Sequence, residues 1–182
     1  FNPQPFAARR ARLAEKMREL VPSGASVAII QTAPEVARNR DAHYDFRPDS
    51  YFYYLTGFTE PEAVLVLLVT TDSARSVLYC REKNLEREIW DGFRLGPEHA
   101  VAHLQVDEAR AIDVLNADLP NWIANTQAVF APLASETALD ARLSNAWNGA
   151  RALVRSGVGA PATQHDLYAL LDEMRLRKDA VE

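Results

Sequence analysis

The sequence contains one cysteine in 182 residues, so no disulfide can form within the chain. A reducing compartment is the simplest setting for such a chain, and we expect a cytoplasmic location. Cys80 lies in the apolar run SVLYC, and free cysteine is among the most buried residue types. We therefore predict a small core residue at this position rather than a nucleophile.

Long apolar runs and basic runs are missing as well. The longest apolar run, AVLVLLV, is too short to span a bilayer, and the first residues do not resemble a signal peptide. The 20 basic and 25 acidic residues are intermingled, the net charge is −5, and no basic run could follow a phosphate backbone. We expect neither a membrane nor a nucleic acid as a partner. The length of 182 residues and the hydrophobic fraction of 48% indicate one compact domain with a sizeable core, or at most a domain and a fragment.

Catalytic motifs are also scarce, because the sequence has no GxSxG, HExxH, CxxC or glycine-rich phosphate loop. The nearest approach to a metal site is HAVAH, in which His99 and His103 would share one face of a helix. A site would need a third ligand, and only Glu98 and Asp107 are near. We favour a solvated helix face over metal binding. Two other histidines in polar contexts are predicted to be surface or capping residues: His43 and His165.

Apolar periodicity predicts alternating helices and strands. The segment PQPFAARRARLAEKM is predicted to be an amphipathic helix. Its apolar side should carry Phe6, Leu13, Met17 and Leu20. The strand candidates are SVAII, EAVLVLLVTT, ARSVLYCR and AVFAPL. We expect the second and third to be neighbours across the Thr-Asp-Ser turn, and the unbroken apolar run of the second predicts a strand that is covered on both faces.

Helical patterns also occupy 97–104, 112–124 and 136–155. The last has a period near 3.6 in its inward residues, which are Leu139, Leu143, Ala146, Trp147, Ala150, Leu153 and Val154. A final helix is predicted to begin at Thr163, because Thr163 and Asp166 have the spacing of a capping box. Its inward residues should be Leu167, Leu170, Leu171 and Met174. This alternation predicts a layered α/β domain, with a mixed β-sheet flanked by helices.

Two segments combine aromatic rings with charges. In DAHYDFRPDSYFYYLTGF, the rings of residues 51–54 cannot all point inward from one helix or strand, so some should lie at a partly wet boundary. The sequence allows two interpretations of this segment. It could form a surface that meets another domain or a ligand, or it could form an ordinary edge of the core. In REKNLEREIWDGFRLG, Trp90 and Phe93 are embedded among charges. This context favours Trp90 as a contact residue at an interface or ligand pocket over a tryptophan packed on the core.

The sequence ends in RLRKDAVE, where Asp179 and Glu182 have the spacing of a capping box. Four residues cannot complete a stable helical turn, because nucleation is unfavourable until several hydrogen bonds have formed. We therefore expect either a frayed tail or the first turn of a helix that has been cut off.

Three segments in this order, RPDSYFYYLTGFTEPEAVLVL, EIWDGFRLG and LLDEMRLRK, together resemble the N-terminal domain of Xaa-Pro aminopeptidase, or aminopeptidase P, of the bacterial type. Prolidase and creatinase share the same two-domain plan. The resemblance implies a mixed sheet of roughly six strands within residues 1–178, an ordinary size for an open sheet. It also implies that residues 179–182 begin a C-terminal metallopeptidase domain with the pita-bread fold.

The family hydrolyses the bond between an N-terminal residue and a following proline, with two manganese ions held by the C-terminal domain. The resemblance thus implies no catalytic residue and no metal in this chain, which would be inactive alone. It implies two substrate-binding residues. Trp90 matches the tryptophan of the EIW motif, which in the family contacts the active site of a neighbouring subunit. Arg155 looks like an arginine that the family directs toward the cleft, while a cation at a helix C-terminus is also favourable by itself.

Three hypotheses follow. The first is the N-terminal domain of an Xaa-Pro aminopeptidase or of a prolidase. This domain would shape the active-site cleft and mediate homo-oligomer contacts. The C-terminal catalytic domain of the same protein would hydrolyse peptides with proline in second position. The second is a stand-alone module that binds proteins or peptides. The third is a metalloprotein built on His99 and His103. The incomplete capping box favours the first, since a self-sufficient module would normally complete its last helix.

Overall fold

A computed structural model describes residues 1–180, without the side chain of Asp91. These residues form seven α-helices and one six-stranded sheet. The strands are β1 (Ala25–Gln31), β2 (Val64–Val69), β3 (Ala74–Cys80), β4 (Glu108–Ala111), β5 (Thr126–Ala131) and β6 (Thr163–Asp166). The helices are α1 (Gln4–Leu20), α2 (Ser50–Thr56), α3 (Leu85–Asp91), α4 (Gly96–Leu104), α5 (Leu115–Ile123), α6 (Thr137–Ala152) and α7 (Leu167–Arg175).

The sheet is mixed, with the strand order β4-β3-β2-β1-β5-β6. Strand β2 runs antiparallel to both β1 and β3, and the other neighbouring pairs are parallel. All strands except β2 therefore point the same way and end at one edge of the sheet, which we call the carboxyl edge. This arrangement confirms the predicted mixed sheet flanked by helices.

Both faces of the sheet are covered. Helices α1, α2, α4 and α7 pack on one face, and α5 and α6 pack on the other. In β2, Leu65 and Leu67 join the first cluster, whereas Val64 and Val66 join the second. The prediction that this apolar run is covered on both faces is thus confirmed. Cys80 is fully buried, as predicted, and burial raises the pKa of its thiol to about 12.

Helix α1 lies where it was predicted, but its buried face differs. Phe6, Leu13 and Met17 are buried, whereas Leu20 is 52% exposed because it is the last residue of the helix. Two arginines of the same helix, Arg9 and Arg10, are buried instead. Their guanidinium groups lie beneath the ends of α2 and α4, where backbone carbonyls lack partners within the helix.

Helix α6 confirms the strongest helical pattern, with Leu139, Leu143, Ala146 and Ala150 buried. Leu153 and Val154 were predicted to point inward and are exposed, because the helix ends at Ala152 and the chain then enters a short 3-10 turn, Val154–Ser156.

The prediction of a helix from Thr163 is wrong. Thr163–Asp166 form β6, and α7 begins only at Leu167, with the Asp166 carboxylate accepting a hydrogen bond from the Tyr168 amide at 3.1 Å. The helix is capped, but by Asp166 and not by Thr163. Of the residues expected inward, Leu167, Leu171 and Met174 are buried and Leu170 is half-buried.

The rings of residues 51–54 occupy helix α2, which Asp49 caps through the amides of Tyr51 and Phe52. Phe52 and Tyr54 are buried, and Tyr53 is partly exposed, so the predicted wet boundary is confirmed. The predicted capping box at the chain end includes Glu182, which lies outside the described residues. In residues 1–180, no helix combines the length and apolarity needed to cross a membrane.

Candidate functional site

An open depression of about 940 Å³ lies at the carboxyl edge. Arg81 and Ile112 line it directly after β3 and β4, and Tyr44 and Phe46 line it from the loop between β1 and α2. Trp90 of α3 also lines it. Ligands of open α/β sheets bind at this edge, because the loops that follow the strands converge there.

Helix α3 and the residues after it carry exposed apolar side chains, of which Trp90 lines this depression. Asn84 caps the helix, with its side-chain oxygen accepting a hydrogen bond from the Arg87 amide at 3.0 Å. Four exposed side chains, which we call the α3 patch, are Leu85, Ile89, Trp90 and Phe93. Trp90 is 85% exposed, so the prediction that it does not pack on the core of its own chain is confirmed. Contiguous exposed apolar side chains are typical of contact surfaces.

Ionic contacts hold the base of the segment that carries the α3 patch. The Glu60 carboxylate accepts a hydrogen bond from the Leu95 amide at 2.7 Å and lies 3.6 Å from the Arg81 guanidinium. Lys83 donates to Glu88 at 2.9 Å and to the Arg94 carbonyl at 3.1 Å. These contacts fix both ends of α3 and leave its outer face uncovered.

Arg155, the second predicted substrate-binding residue, lies far from Trp90. It is exposed in the turn that follows α6. The start of α6 is tied to the carboxyl edge by the hydrogen bond between Gln31 and Glu136. The segment after Arg155 is tied to the start of β5, where the Asn125 amide donates to the Gly159 carbonyl at 2.7 Å. Since the 16 residues of α6 span roughly 24 Å, one chain does not bring Trp90 and Arg155 together.

The predicted histidine pair lies on α4, with His99 and His103 both exposed. The His103 ring stacks on Phe1, with the centroids 4.7 Å apart, so it is not simply solvated. Asp107 accepts hydrogen bonds from the amide and hydroxyl of Ser76, both at 2.7 Å. Across the described residues, no three His, Cys, Asp or Glu side chains form a group that could hold a metal ion.

The other two histidines have different outcomes. His43 lies exposed in the loop between β1 and α2, as predicted for a surface residue. His165, also predicted to be a surface or capping residue, belongs to β6 and caps no helix. It is half-buried, because its ring stacks on the buried Phe130 with the centroids 4.7 Å apart.

A second depression, which we call the basic pocket, lies between α1, α2 and α7 and has a volume of about 370 Å³. Its cationic lining residues are Arg9, Arg47, Arg175 and Lys178. Sequence reasoning missed this group because the four residues come from three distant segments and do not form a basic run in the sequence. Only the fold brings them together.

Comparison with known proteins identifies the fold. Residues 6–130 match the protein family described as aminopeptidase P, N-terminal domain. The chain belongs to this family. It is 38% identical to Xaa-Pro aminopeptidase of Escherichia coli over 180 residues, which are 98% of this chain and 40% of that enzyme. It is also 38% identical to Xaa-Pro aminopeptidase of Haemophilus influenzae over 125 residues, 69% of this chain and 28% of the relative.

Solved structures agree with the family assignment. A substrate complex of an E. coli aminopeptidase P variant superposes with a TM-score of 0.92 and 37% identity, covering 100% of this chain and 40% of that chain. The chain thus spans about 40% of the length of the E. coli aminopeptidases P it matches. The resemblance inferred from the three sequence segments, and the fold that it implied, are both confirmed.

Proposed function

We propose that this chain is the N-terminal domain of an Xaa-Pro aminopeptidase, an enzyme that releases the N-terminal residue that precedes proline. Support comes from 38% identity to the E. coli enzyme over 98% of the chain. In this proposal residues 1–178 form the domain, and residues 179–182 begin a C-terminal catalytic domain. We further propose a cytoplasmic homo-oligomer that acts on peptides with proline in second position.

Hydrolysis would depend on residues outside this domain. The described residues do not fit the two manganese ions expected for the family, because they form no group of three metal-ligating side chains. We therefore assign the metal site to the proposed C-terminal domain and assign no reaction step to this chain. Its role would be to wall the cleft, to limit entry to short or unstructured N-termini, and to supply subunit contacts.

The observation that carries this role is the exposure of Trp90. Its side chain is 85% exposed at an edge of the sheet where its own chain offers an open depression. Covering a tryptophan removes about 150–250 Å² of mostly apolar surface from water, which at about 25 cal/mol per Å² favours association by at most about 4–6 kcal/mol. A single residue can thus dominate a contact with a substrate or a neighbouring subunit.

The separation of Trp90 and Arg155 supports contacts between subunits. Trp90 lies at the carboxyl edge, where α6 begins, whereas Arg155 follows the other end of α6, a helix about 24 Å long. A short peptide in one cleft could not touch both residues of one chain. If Arg155 faces the cleft of its own subunit, Trp90 has to serve the cleft of a neighbour. In a closed symmetric oligomer, every active site would then receive Trp90 from a neighbouring subunit.

A paired assay tests the proposal. The 182-residue chain and the longer gene product that contains it are compared on an Xaa-Pro-Xaa tripeptide with added manganese. We expect only the longer protein to cleave the peptide. In that protein, Trp90→Ala should lower kcat/KM, whereas Leu20→Ala, which truncates another exposed apolar side chain, should not. Chelator-sensitive cleavage by the short chain would contradict the assignment of the metal site.

A further inference from the structure

Arg81 is a buried arginine whose hydrogen-bond donors are unused. It directly follows β3 at the carboxyl edge, and its side chain is 7% exposed. Among the residues that the structure describes, none accepts a hydrogen bond from Arg81, and its Nε is buried without a partner. The Glu60 carboxylate balances the charge, but at 3.6 Å the two groups are too far apart for a hydrogen bond. Because a guanidinium has five N–H donors, Arg81 lacks acceptor oxygens rather than a counter-charge.

The other two buried arginines show how this fold satisfies such a group. Arg9 donates to the Tyr54 carbonyl at 3.1 Å and to Asp179, and Arg10 donates to three backbone carbonyls. Their exposures of 3% and 4% are close to that of Arg81. Since buried polar groups are nearly always hydrogen-bonded, the acceptors for Arg81 have to come from a bound molecule.

Arg81 lies at the junction of two depressions. It lines the depression of about 940 Å³ that Trp90 also lines, and a neighbouring one of about 420 Å³. Apolar side chains line the smaller depression: Phe46, Phe58, Pro61, Phe93 and Leu95. Apolar walls around a few polar groups are typical of a ligand site.

The surrounding charges favour a neutral acceptor over an anion. Together the two depressions are lined by seven Asp and Glu residues and by four Lys and Arg residues. This excess of negative charge repels an anion, whereas the oxygen of a peptide group carries no net charge. We propose that Arg81 binds a backbone carbonyl of an extended peptide. Resting on the proposed function, this peptide is the part of the substrate that follows its third residue.

The different exposures of Trp90 and Arg81 place this contact far from the reacting bond. Trp90 is 85% exposed and projects from the depression, whereas Arg81 is recessed within it. Because the proposed metal site lies outside this domain, a substrate chain meets Trp90 before it reaches Arg81. A tripeptide is then too short to reach Arg81, and a hexapeptide is long enough.

The test compares a tripeptide and a hexapeptide as substrates of the longer protein. Both have proline second and an amidated C-terminus, so that backbone carbonyls are their acceptors, and a second hexapeptide keeps its free carboxylate. Arg81→Lys keeps the charge beside Glu60 but loses the planar fork of donors. The double variant Arg81→Met, Glu60→Gln removes the ion pair without leaving a buried charge.

Arg75→Lys is the matched control. Arg75 lies near the start of the same strand, β3, and is also paired with a glutamate, Glu108. Thermal unfolding verifies that each variant is folded. Calorimetry with a chelator present gives the dissociation constant of the amidated hexapeptide without turnover.

We expect both Arg81 variants to lower kcat/KM for the amidated hexapeptide about tenfold and to leave the tripeptide unchanged, because one charge-assisted hydrogen bond is lost. The dissociation constant should rise about tenfold in the same variants, and Arg75→Lys should change neither quantity. A longer protein that cleaves no peptide would refute the proposed function, while the dissociation constants would still decide the role of Arg81.

Three results would overturn the inference. In the first, the Arg81 variants bind and cleave the hexapeptide as the unaltered protein does, so that water alone occupies the site. In the second, they lower kcat/KM equally for the tripeptide and the hexapeptide, which indicates a general structural effect. In the third, the loss occurs only with the free carboxylate, which makes the ligand group an anion.

Discussion

Replacing Arg10 by methionine should destabilise the domain, although a buried arginine is usually regarded as unfavourable. Arg10 is nearly fully buried and donates to the backbone carbonyls of Leu55 at 2.9 Å, Leu104 at 3.2 Å and Gln105. Leu55 lies in the last turn of α2 and Leu104 is the last residue of α4, so the guanidinium satisfies carbonyls at two helix ends.

Two opposing effects set the size of the loss. Each buried carbonyl left without a partner costs about 1–3 kcal/mol, which gives about 2–6 kcal/mol for those of Leu55 and Leu104, since the Gln105 contact is only partly buried. Removing the guanidinium also relieves its desolvation. Burial lowers the pKa of Arg10 from 12.5 to about 10, a penalty of about 3 kcal/mol. The middle of the first range exceeds the second effect by about 1 kcal/mol, and loss of the Gln105 contact adds to the difference, so we expect Arg10→Met to lower the free energy of unfolding by about 1–3 kcal/mol.

Urea unfolding followed by tryptophan fluorescence measures this loss. If the free energy of unfolding falls by about 2 kcal/mol per M of urea, the midpoint should fall by about 0.5–1.5 M. Arg12→Met is the matched control, because Arg12 lies on the same helix and makes one hydrogen bond, to the Met174 carbonyl at 2.9 Å. If Arg10→Met and Arg12→Met shift the midpoint equally, the carbonyls at the two helix ends do not depend on Arg10 and the reasoning is refuted.

Three other predictions concern the core, the thiol and the α3 patch. Phe130→Ala removes a fully buried ring from β5 and should lower the free energy of unfolding by about 3–5 kcal/mol, whereas a loss below about 1 kcal/mol would mean that the core is not packed as described. The folded pKa of Cys80 is raised from 9.0 to about 12, so its contribution to stability is present below pH 9 and is lost as the pH rises toward 12. Between pH 9 and 10, urea unfolding should show a loss of about 1 kcal/mol that Cys80→Ala abolishes, and an equal loss in the variant would assign it to another group. Trp90→Ala should change the stability of the 182-residue chain by less than about 0.5 kcal/mol, because the ring is 85% exposed, and a larger shift of the thermal midpoint would show that it packs on its own chain.

Sequence reasoning succeeded where one local pattern dominated. The unbroken apolar run of β2 and the regular period of α6 each predicted the correct element, because burial on two faces or on one stripe leaves a periodic trace. The exposure of Trp90 was also predictable, since the charges around it made a core position unfavourable.

Sequence reasoning failed where contacts between residues far apart in the chain determine the structure. Strand β4 has only four residues, EARA, and its alternating apolar residues are alanines, which are depleted in strands; it exists because it pairs with β3. Thr163 belongs to a strand rather than a helix because β5 offers an open edge beside it. The buried positions of Arg9 and Arg10 depend on carbonyl groups 45 residues or more away in the chain, which no local pattern can reveal. The basic pocket was missed for the same reason.

The central claim is that this domain contributes Trp90 to the active site of a neighbouring subunit, and subunit mixing tests it most directly. Trp90→Ala and Arg155→Ala variants of the longer protein are each assayed alone, then dissociated, mixed and reassembled. Each pure variant should have low activity. In the mixture, about a quarter of the sites should combine an intact Arg155 from one subunit with an intact Trp90 from another, so activity should rise well above that of either variant. A mixture no more active than the average of the two variants would contradict the account.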